Sequence, residues 1–392
     1  MLIASVGWAV AVLLGAPLTI YSTEMIAGLR RARPSKAGDS PPPASVAILI
    51  PAHNEAAGIY AMLVELTKSA PASARLVVIA DNCSDDTASE ARRAGATVVE
   101  RHDTERRGKG HALSFGRDYL TATPPDVVLV IDADCRITPG TVEKLAAAAH
   151  KSQQPVQCVN VLEPDRDAPP LVQISSFALL VKNVVRARGM RRLGGTALLT
   201  GTGMAFPWAV FRGSELATGN IVEDLALGIE LVRRGYRVGL VSDASVRSAS
   251  AHVDDLLDQR RRWEQGFFQT ARRWALPTLA HGISTPSRAS LILGLHLMVP
   301  PLVSLFLAAF AGIFLLLVLA VAGQGMGPVL ALIGLMALAS LVTLVAWARE
   351  GRATLTTRAL LLAPRYLLWK IPMYLNMLRT RPPQWIRTRR RP

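Results

Sequence analysis

Two long apolar runs and a third, split stretch constrain this chain more than any other feature, because a soluble core cannot easily hide them. The first, Leu2 to about Ile26, contains Pro17 and meets no charge before Glu24. A helix of that length crosses a hydrocarbon core of about 30 Å. Arg30, Arg31, Arg33 and Lys36 follow the run instead of preceding it. It therefore reads as a retained membrane helix and not as a cleaved leader, with the residues after it in the cytosol. The split stretch comprises Leu297 to Val321 and about Pro328 to Trp347, separated by the uncharged turn Gly-Gln-Gly-Met-Gly. It reads as a transmembrane hairpin whose return side carries Arg349, Arg352 and Arg358. A last apolar run, Leu360 to Leu378, is interrupted by Pro364, Arg365, Lys370 and Pro372. If it spanned the bilayer, the basic tail from Arg387 to Arg391 would lie outside, so an interfacial or re-entrant segment is expected.

The balance of the composition agrees with a soluble domain joined to membrane segments. Half of the 392 residues are apolar, yet the formal charge is +15. Because the basic clusters flank apolar runs, they point to a membrane surface and not to nucleic acid. Cys83, Cys135 and Cys158 are the three cysteines, without a C-x-x-C pair or zinc-type spacing to histidine. That fits a reduced, cytosolic compartment, with the thiols as small fillers of turns.

Pro34 to Ala44 reads as a polar linker, and a folded domain begins at Ser45. From there, β-branched runs (Val46 to Ile50, Leu76 to Ile79, Val127 to Ile131) alternate with stretches of helical period such as Glu55 to Thr67 and Thr141 to His150. This alternation predicts an α/β domain, a mostly parallel sheet with helices on both faces. Ligands in such sheets bind beyond the carboxyl ends of the strands. The residues there are Pro51 to Glu55, Asp81 to Asp86 and Asp132 to Asp134.

Asp132-Ala-Asp134 places two carboxylates one residue apart at a strand end. They repel unless a cation joins them, and hard oxygen donors select Mg²⁺ or Mn²⁺. An Asp-rich surface turn is the bland alternative. Asp81 and Asp85 follow a second strand, where they could bind a base and ribose, although capping of the next helix explains Ser84 to Asp86 equally. Lys109, within Gly-Lys-Gly, could offer charge to phosphate or ribose oxygens; taken alone, the segment reads as a solvated basic turn before a helix. Glu223-Asp224 opens a helical stretch, Leu225 to Arg234, where an ionised carboxylate could accept a hydroxyl proton or merely serve the helix start. Gly201-Thr202-Gly203 could admit an acceptor close to the backbone or simply turn into a strand. Gln259, Arg262 and Trp263 lie on a helical stretch, Leu256 to Arg272, which could offer an indole to a sugar ring or lie on the bilayer. Of the isolated histidines His53, His102, His111 and His252, the last is the one to examine for metal contact.

In order and spacing, Pro51 with Asn54-Glu55, Asp81 with Asp85, Lys109, Asp132-x-Asp134, Glu223-Asp224 and Gln259-x-x-Arg262-Trp263 resemble the membrane-bound family 2 glycosyltransferases. Cellulose, hyaluronan, chitin and poly-N-acetylglucosamine synthases belong to that group. The resemblance covers about Ser45 to Thr270 and implies a GT-A fold. It also implies a bacterial inner-membrane enzyme, multi-pass, with its catalytic domain in the cytosol. By resemblance, Pro51, Asn54, Glu55, Asp81, Asp85, Lys109 and Asp132 would bind a UDP-sugar, and Asp132 with Asp134 would hold the metal. Asp224, beside Glu223, would be the base, and Gly201, Thr202, Gly203, Gln259, Arg262 and Trp263 would face the acceptor or product. Transfer would invert the anomeric centre and deliver the sugar to a growing polysaccharide or lipid-linked saccharide, with an export partner as a further expectation.

The implied division is a membrane helix (1–28), linker (29–44), catalytic domain (45–253), interfacial helices (254–290), hairpin (291–350) and interfacial segment with basic tail (351–392). A non-catalytic membrane subunit that binds nucleotide or glycan is the competing reading. A dinucleotide-dependent dehydrogenase is disfavoured, since Pro-Ala-His-Asn-Glu stands where G-x-G-x-x-G would follow the first strand.

Overall fold

The computed structural model describes residues 2–30, 43–217, 222–249 and 253–379. Most of the linker, His252 and the basic tail from 380 onward lie outside the described residues. The chain forms two compact units. Of the described residues, one contains 43–163, 195–217, 222–249 and 253–270, and the other contains 2–30, 164–194 and 271–379.

The first unit is built on eight strands: β1 (Val46–Ala52), β2 (Ala74–Asp81), β3 (Thr97–Arg101), β4 (Val127–Val130), β5 (Cys135–Ile137), β6 (Val156–Leu162), β7 (Met204–Pro207) and β8 (Gly239–Ser248). They form one sheet in the order β3-β2-β1-β4-β7-β6-β8-β5. The four strands β3, β2, β1 and β4 are parallel; β7 runs antiparallel to β4 and β6, and β5 antiparallel to β8. The uninterrupted apolar character of β1 has a simple cause: both faces of it are covered. Val46, Ile48 and Ile50 share one core with Ile59, Leu63, Val142 and Leu145 from helices Ala56–Ser69 and Thr141–Ser152. Ala47 and Leu49 share another with Leu113, Leu227 and Leu231 from helices Lys109–Leu120 and Glu223–Arg233. Alternate side chains of one strand thus anchor opposite helical layers, and the parallel strands β1, β2 and β4 end at a common edge.

The second unit is helical. Its helices include Leu2–Gly28, Pro170–Leu180, Ala187–Gly194, Arg288–Leu297, Leu302–Leu319, Gly327–Ala346 and Ala363–Arg379. Among the described residues, three segments are long and apolar enough to cross a membrane: Ser5–Gly28, Leu302–Gly323 and Gly327–Gly351. The second begins five residues later than the sequence pattern suggests, at Leu302 instead of Leu297. Pro300 and Pro301 explain the difference, since the preceding helix ends at Leu297 and Pro301 stands at the N-cap of the next. A second difference concerns residues 164–194, which the sequence pattern leaves inside the catalytic domain. They group with the apolar helices because Phe177, Leu180, Val181 and Val185 pack with Leu18, Tyr21 and Met25 of the first helix.

Within this apolar unit sits a closed charge cluster. Arg186 Nε donates to Glu24 Oε2 at 2.7 Å, and His296 Nδ1 lies 2.9 Å from Glu24 Oε1, with all three residues buried. Removing one member of a buried pair strands the other charge, whereas replacing both by apolar groups does not. Glu24→Leu is therefore expected to cost about 3–5 kcal/mol, measured as thermal or denaturant stability in detergent. Glu24→Leu combined with Arg186→Met should lose less than Glu24→Leu alone.

Candidate active site

The loops after β1 and β2 fasten each other. Asn54 adopts a left-handed conformation (φ 54°), and its Oδ1 accepts from the Ser84 backbone N–H at 2.7 Å. The Glu55 N–H donates to Thr87 Oγ1 at 2.7 Å and the Ala56 N–H to Asp85 Oδ2 at 3.2 Å. Asp85 also accepts from the Thr87 N–H at 3.1 Å, so its carboxylate organises the start of the following helix. Asp81, buried at the end of β2, accepts from Arg101 Nη1 at 2.7 Å and Asn82 Nδ2 at 3.0 Å. Sequence reasoning did not single out Arg101. Its signal was a lone arginine closing the short strand β3, beside the acidic end of β2 in register.

One strand further along the sheet, β4 runs into Asp132, Ala133 and Asp134. Ala133 is buried, Asp132 half-buried and Asp134 exposed. The Asp132 N–H donates to Thr202 Oγ1 at 3.1 Å, which fixes the backbone from which its carboxylate projects. Lys109 is the first residue of its helix, and its ammonium donates to Asp132 Oδ1 and to the Gly201 carbonyl at 2.8 Å. The Gly-Lys-Gly segment is consequently no solvated turn. Burial disfavours the Lys109 charge, but the carboxylates of Asp132, Glu223 and Asp224 more than offset this and hold it well above the ordinary lysine range.

Glu223 and Asp224 form the first turn of helix Glu223–Arg233. Asp224 Oδ1 accepts from the Leu225 N–H at 2.8 Å. Burial, then the adjacent Asp224 charge, pushes the Glu223 carboxyl up. Such environments assign different protonation states to neighbouring acids, with Glu223 the member driven toward its neutral form. Lys109, Gly201, Glu223 and Asp224 line an open pocket of about 290 Å³, together with apolar Leu113 and Leu227.

The loop that closes this pocket is itself held by buried groups. Gln157 on β6 accepts from the Thr200 N–H at 2.9 Å and donates to the Thr202 carbonyl at 2.8 Å. A polar residue near the start of a mostly apolar strand was its only signal in the sequence. Gly203 has φ 65°, and a Cβ there would stand 2.2 Å from Cys158 Sγ. Gly201 has φ 87° but would meet nothing nearer than Asp224 Oδ2 at 3.5 Å. The two glycines therefore serve different ends, Gly203 close packing and Gly201 access to the pocket.

The donor atoms of Asp132, Asp134 and Cys135 lie within 4.8 Å of one another. Cys135 is buried, and its soft sulfur is a poor match for the hard cations that carboxylate oxygens select. What remains is a pair of carboxylates, a donor set that fits Mg²⁺ or Mn²⁺. Gln259, Arg262 and Trp263 lie half-buried on helix Val253–Ser284, with the Arg260 guanidinium 5.0 Å from the Trp263 ring centroid. They do not line the pocket, nor do Pro51, Asn54, Glu55, Asp81 and Asp85.

A family model described as glycosyltransferase like family 2 matches residues 42–266, more than half of the chain. The chain belongs to that family. The chain is 38% identical over 107 residues to an uncharacterized glycosyltransferase of Mycobacterium tuberculosis (strain ATCC 25618 / H37Rv). The match covers 27% of this chain and 44% of that protein, so the chain spans less than half the length of the curated relatives it matches. Among solved structures, the mannosyltransferase PcManGT from Pyrobaculum calidifontis, in complex with GDP-Man and Mn²⁺, is similar with a TM-score of 0.58 at 21% identity. That likeness covers 94% of this chain and 99% of PcManGT, and it is a likeness of fold. The mixed sheet with helices on both faces is the GT-A architecture, as the sequence pattern implied.

The contrast between the two loop glycines is open to test. Gly203→Ala is expected to add overpacking of about 1–3 kcal/mol to the strain of a left-handed alanine. Gly201→Ala should carry the strain alone. Thermal unfolding should therefore rank Gly203→Ala as the less stable variant; equal stability would contradict the packing role.

Proposed function

We propose that this chain is an inverting, divalent-cation-dependent glycosyltransferase of a bacterial inner membrane, multi-pass, with its catalytic domain on the cytosolic side. It transfers a sugar from a nucleoside-diphosphate donor to a hydroxyl of a membrane-associated acceptor, either a growing polysaccharide or a lipid-linked saccharide. The observation that carries this reading is Lys109, which lines one pocket with Gly201, Glu223 and Asp224 and bonds the Asp132 carboxylate at the end of β4. Three helices suited to a membrane, in the same chain, support an acceptor of that kind.

In the proposed reaction the acceptor hydroxyl attacks the anomeric carbon, and the bond to the diphosphate oxygen breaks on the opposite side. Asp224, a carboxylate in the first turn of its helix and on the pocket wall, takes the hydroxyl proton. Glu223, driven toward its neutral form, avoids adding a second negative charge beside the incoming diphosphate. Lys109 faces the same space with a cation. Mg²⁺ or Mn²⁺ held by Asp132 and Asp134 would supply positive charge for the departing nucleoside diphosphate. Asp81 and the loops tied by Asn54, Glu55 and Asp85 form the floor on which the nucleoside would rest, after Pro51. The Gly201-Thr202-Gly203 turn borders the acceptor side, with Gln259, Arg262 and Trp263 as further acceptor contacts. A UDP-sugar is the donor by family resemblance. PcManGT is described with GDP-Man, so GDP-sugars belong in the same screen.

The test is nucleoside-diphosphate release by the detergent-purified full chain with Mn²⁺ or Mg²⁺ across UDP- and GDP-sugars. Asp224→Asn is expected to retain donor binding and lose turnover by about 10²–10⁴-fold. Asp134→Ala should instead weaken cation-dependent donor binding. If both variants lost donor binding equally, the assignment of base and cation ligand would be wrong.

A further inference from the structure

Lys109 is placed unlike a residue that merely waits for phosphate. Its ammonium is already spent on two partners, the Asp132 carboxylate and the Gly201 carbonyl, while Glu223 and Asp224 add their fields from the neighbouring helix. It thus binds the very carboxylate that the proposed function assigns to a divalent cation. Two cationic centres on one carboxylate repel each other, so each weakens the other's hold on Asp132. Something must yield. The Asp132 backbone is tied to the buried Thr202, and the turn around Thr202 is pinned by Gln157. The flexible four-carbon stem of Lys109 is the part of the cluster free to swing.

We infer that Lys109 is a resident counter-ion of the cation site, neutralising Asp132 in the donor-free enzyme and passing to the donor diphosphate when the divalent cation takes its place. The inference rests on the cation-site reading above and adds to it an order of exchange. A cation arriving alone displaces an ammonium that then has no new anion to meet. A cation arriving with a nucleoside diphosphate provides that anion. The two ligands should therefore bind with positive coupling, and the coupling should run through Lys109. The same exchange keeps three carboxylates from repelling one another when the site holds no ligand.

The experiment measures Mn²⁺ binding to the detergent-purified full chain by electron paramagnetic resonance of the free ion, first alone and then with saturating UDP or GDP. Lys109→Met is expected to bind Mn²⁺ alone at least about fivefold more tightly than the parent chain, the lower end of usual site-to-site coupling. The tightening that nucleotide produces should shrink in this variant. Lys109→Arg, which keeps the charge, should follow the parent chain. Lys109→Gln reads the same quantity if Lys109→Met does not fold, because it retains a donor for the Gly201 carbonyl without the charge. Mn²⁺ binding to Lys109→Met or Lys109→Gln that is no tighter than in the parent chain overturns the inference. Asp134→Ala separates this outcome from failure of the cation-site reading: if it binds Mn²⁺ as the parent does, with and without nucleotide, the cation is not held at Asp132 and Asp134 at all.

Discussion

A half-buried ammonium among carboxylates is the interaction on which the sheet-containing unit turns. Asp132, Glu223 and Asp224 come from a strand end and a helix start that are far apart in sequence, and without a cation between them their mutual repulsion would push those elements apart. Lys109 supplies that cation from the first residue of a third element. Its second bond, to the Gly201 carbonyl, brings in the turn that leads to β7. One side chain thereby connects β4, two helices and the loop between β6 and β7. The surrounding apolar layer, Leu113 and Leu227 among it, lowers the local polarity and makes each of these charges count for more.

Much of this arrangement was legible in the sequence, and the reason lies in periodicity. β1, β2 and β4 are covered on both faces, so they appear as unbroken apolar runs, and the acids that follow them mark the edge where a ligand binds. The same reasoning did not distinguish β3, β5, β6 or β8. β5 has three residues, β3 and β8 alternate with polar positions, and β6 carries the polar Gln157 and Asn160. The apolar run from Leu297 was read as one piece because hydropathy is blind to a backbone break, whereas Pro300 and Pro301 decide where the helix starts. Residues 164–194 were assigned by proximity in sequence, although what places a segment is the surface it buries.

The site residues divide along similar lines. Asp132, Asp134, Glu223 and Asp224 were singled out by their order and spacing as a set, since each pair alone reads as readily as an Asp-rich turn or a helix start. The contacts behind the site were less legible. Arg101 and Gln157 bond to groups distant in sequence, and Thr202, read as an acceptor contact, accepts from the Asp132 N–H; no local pattern announces such bonds. Lys109 was recognised as a phosphate contact, but its grip on Asp132 depends on the folded distance between β4 and a helix that precedes it.

The Glu24, Arg186 and His296 cluster bears on how the protein is made. Glu24 and His296 are separated by 272 residues, and Arg186 lies 162 residues from Glu24. On a ribosome, the first apolar helix is complete long before either partner exists, and the whole sheet is translated before His296 emerges. Contacts of such long range form late and slowly. The nascent first helix must therefore carry an uncompensated carboxylate through most of synthesis, at a position near the end of that helix. There, water can solvate the charge until Arg186 and His296 arrive. Four residues from the end of its helix, Glu24 sits where a charge can wait for its partners without holding the helix out of the bilayer.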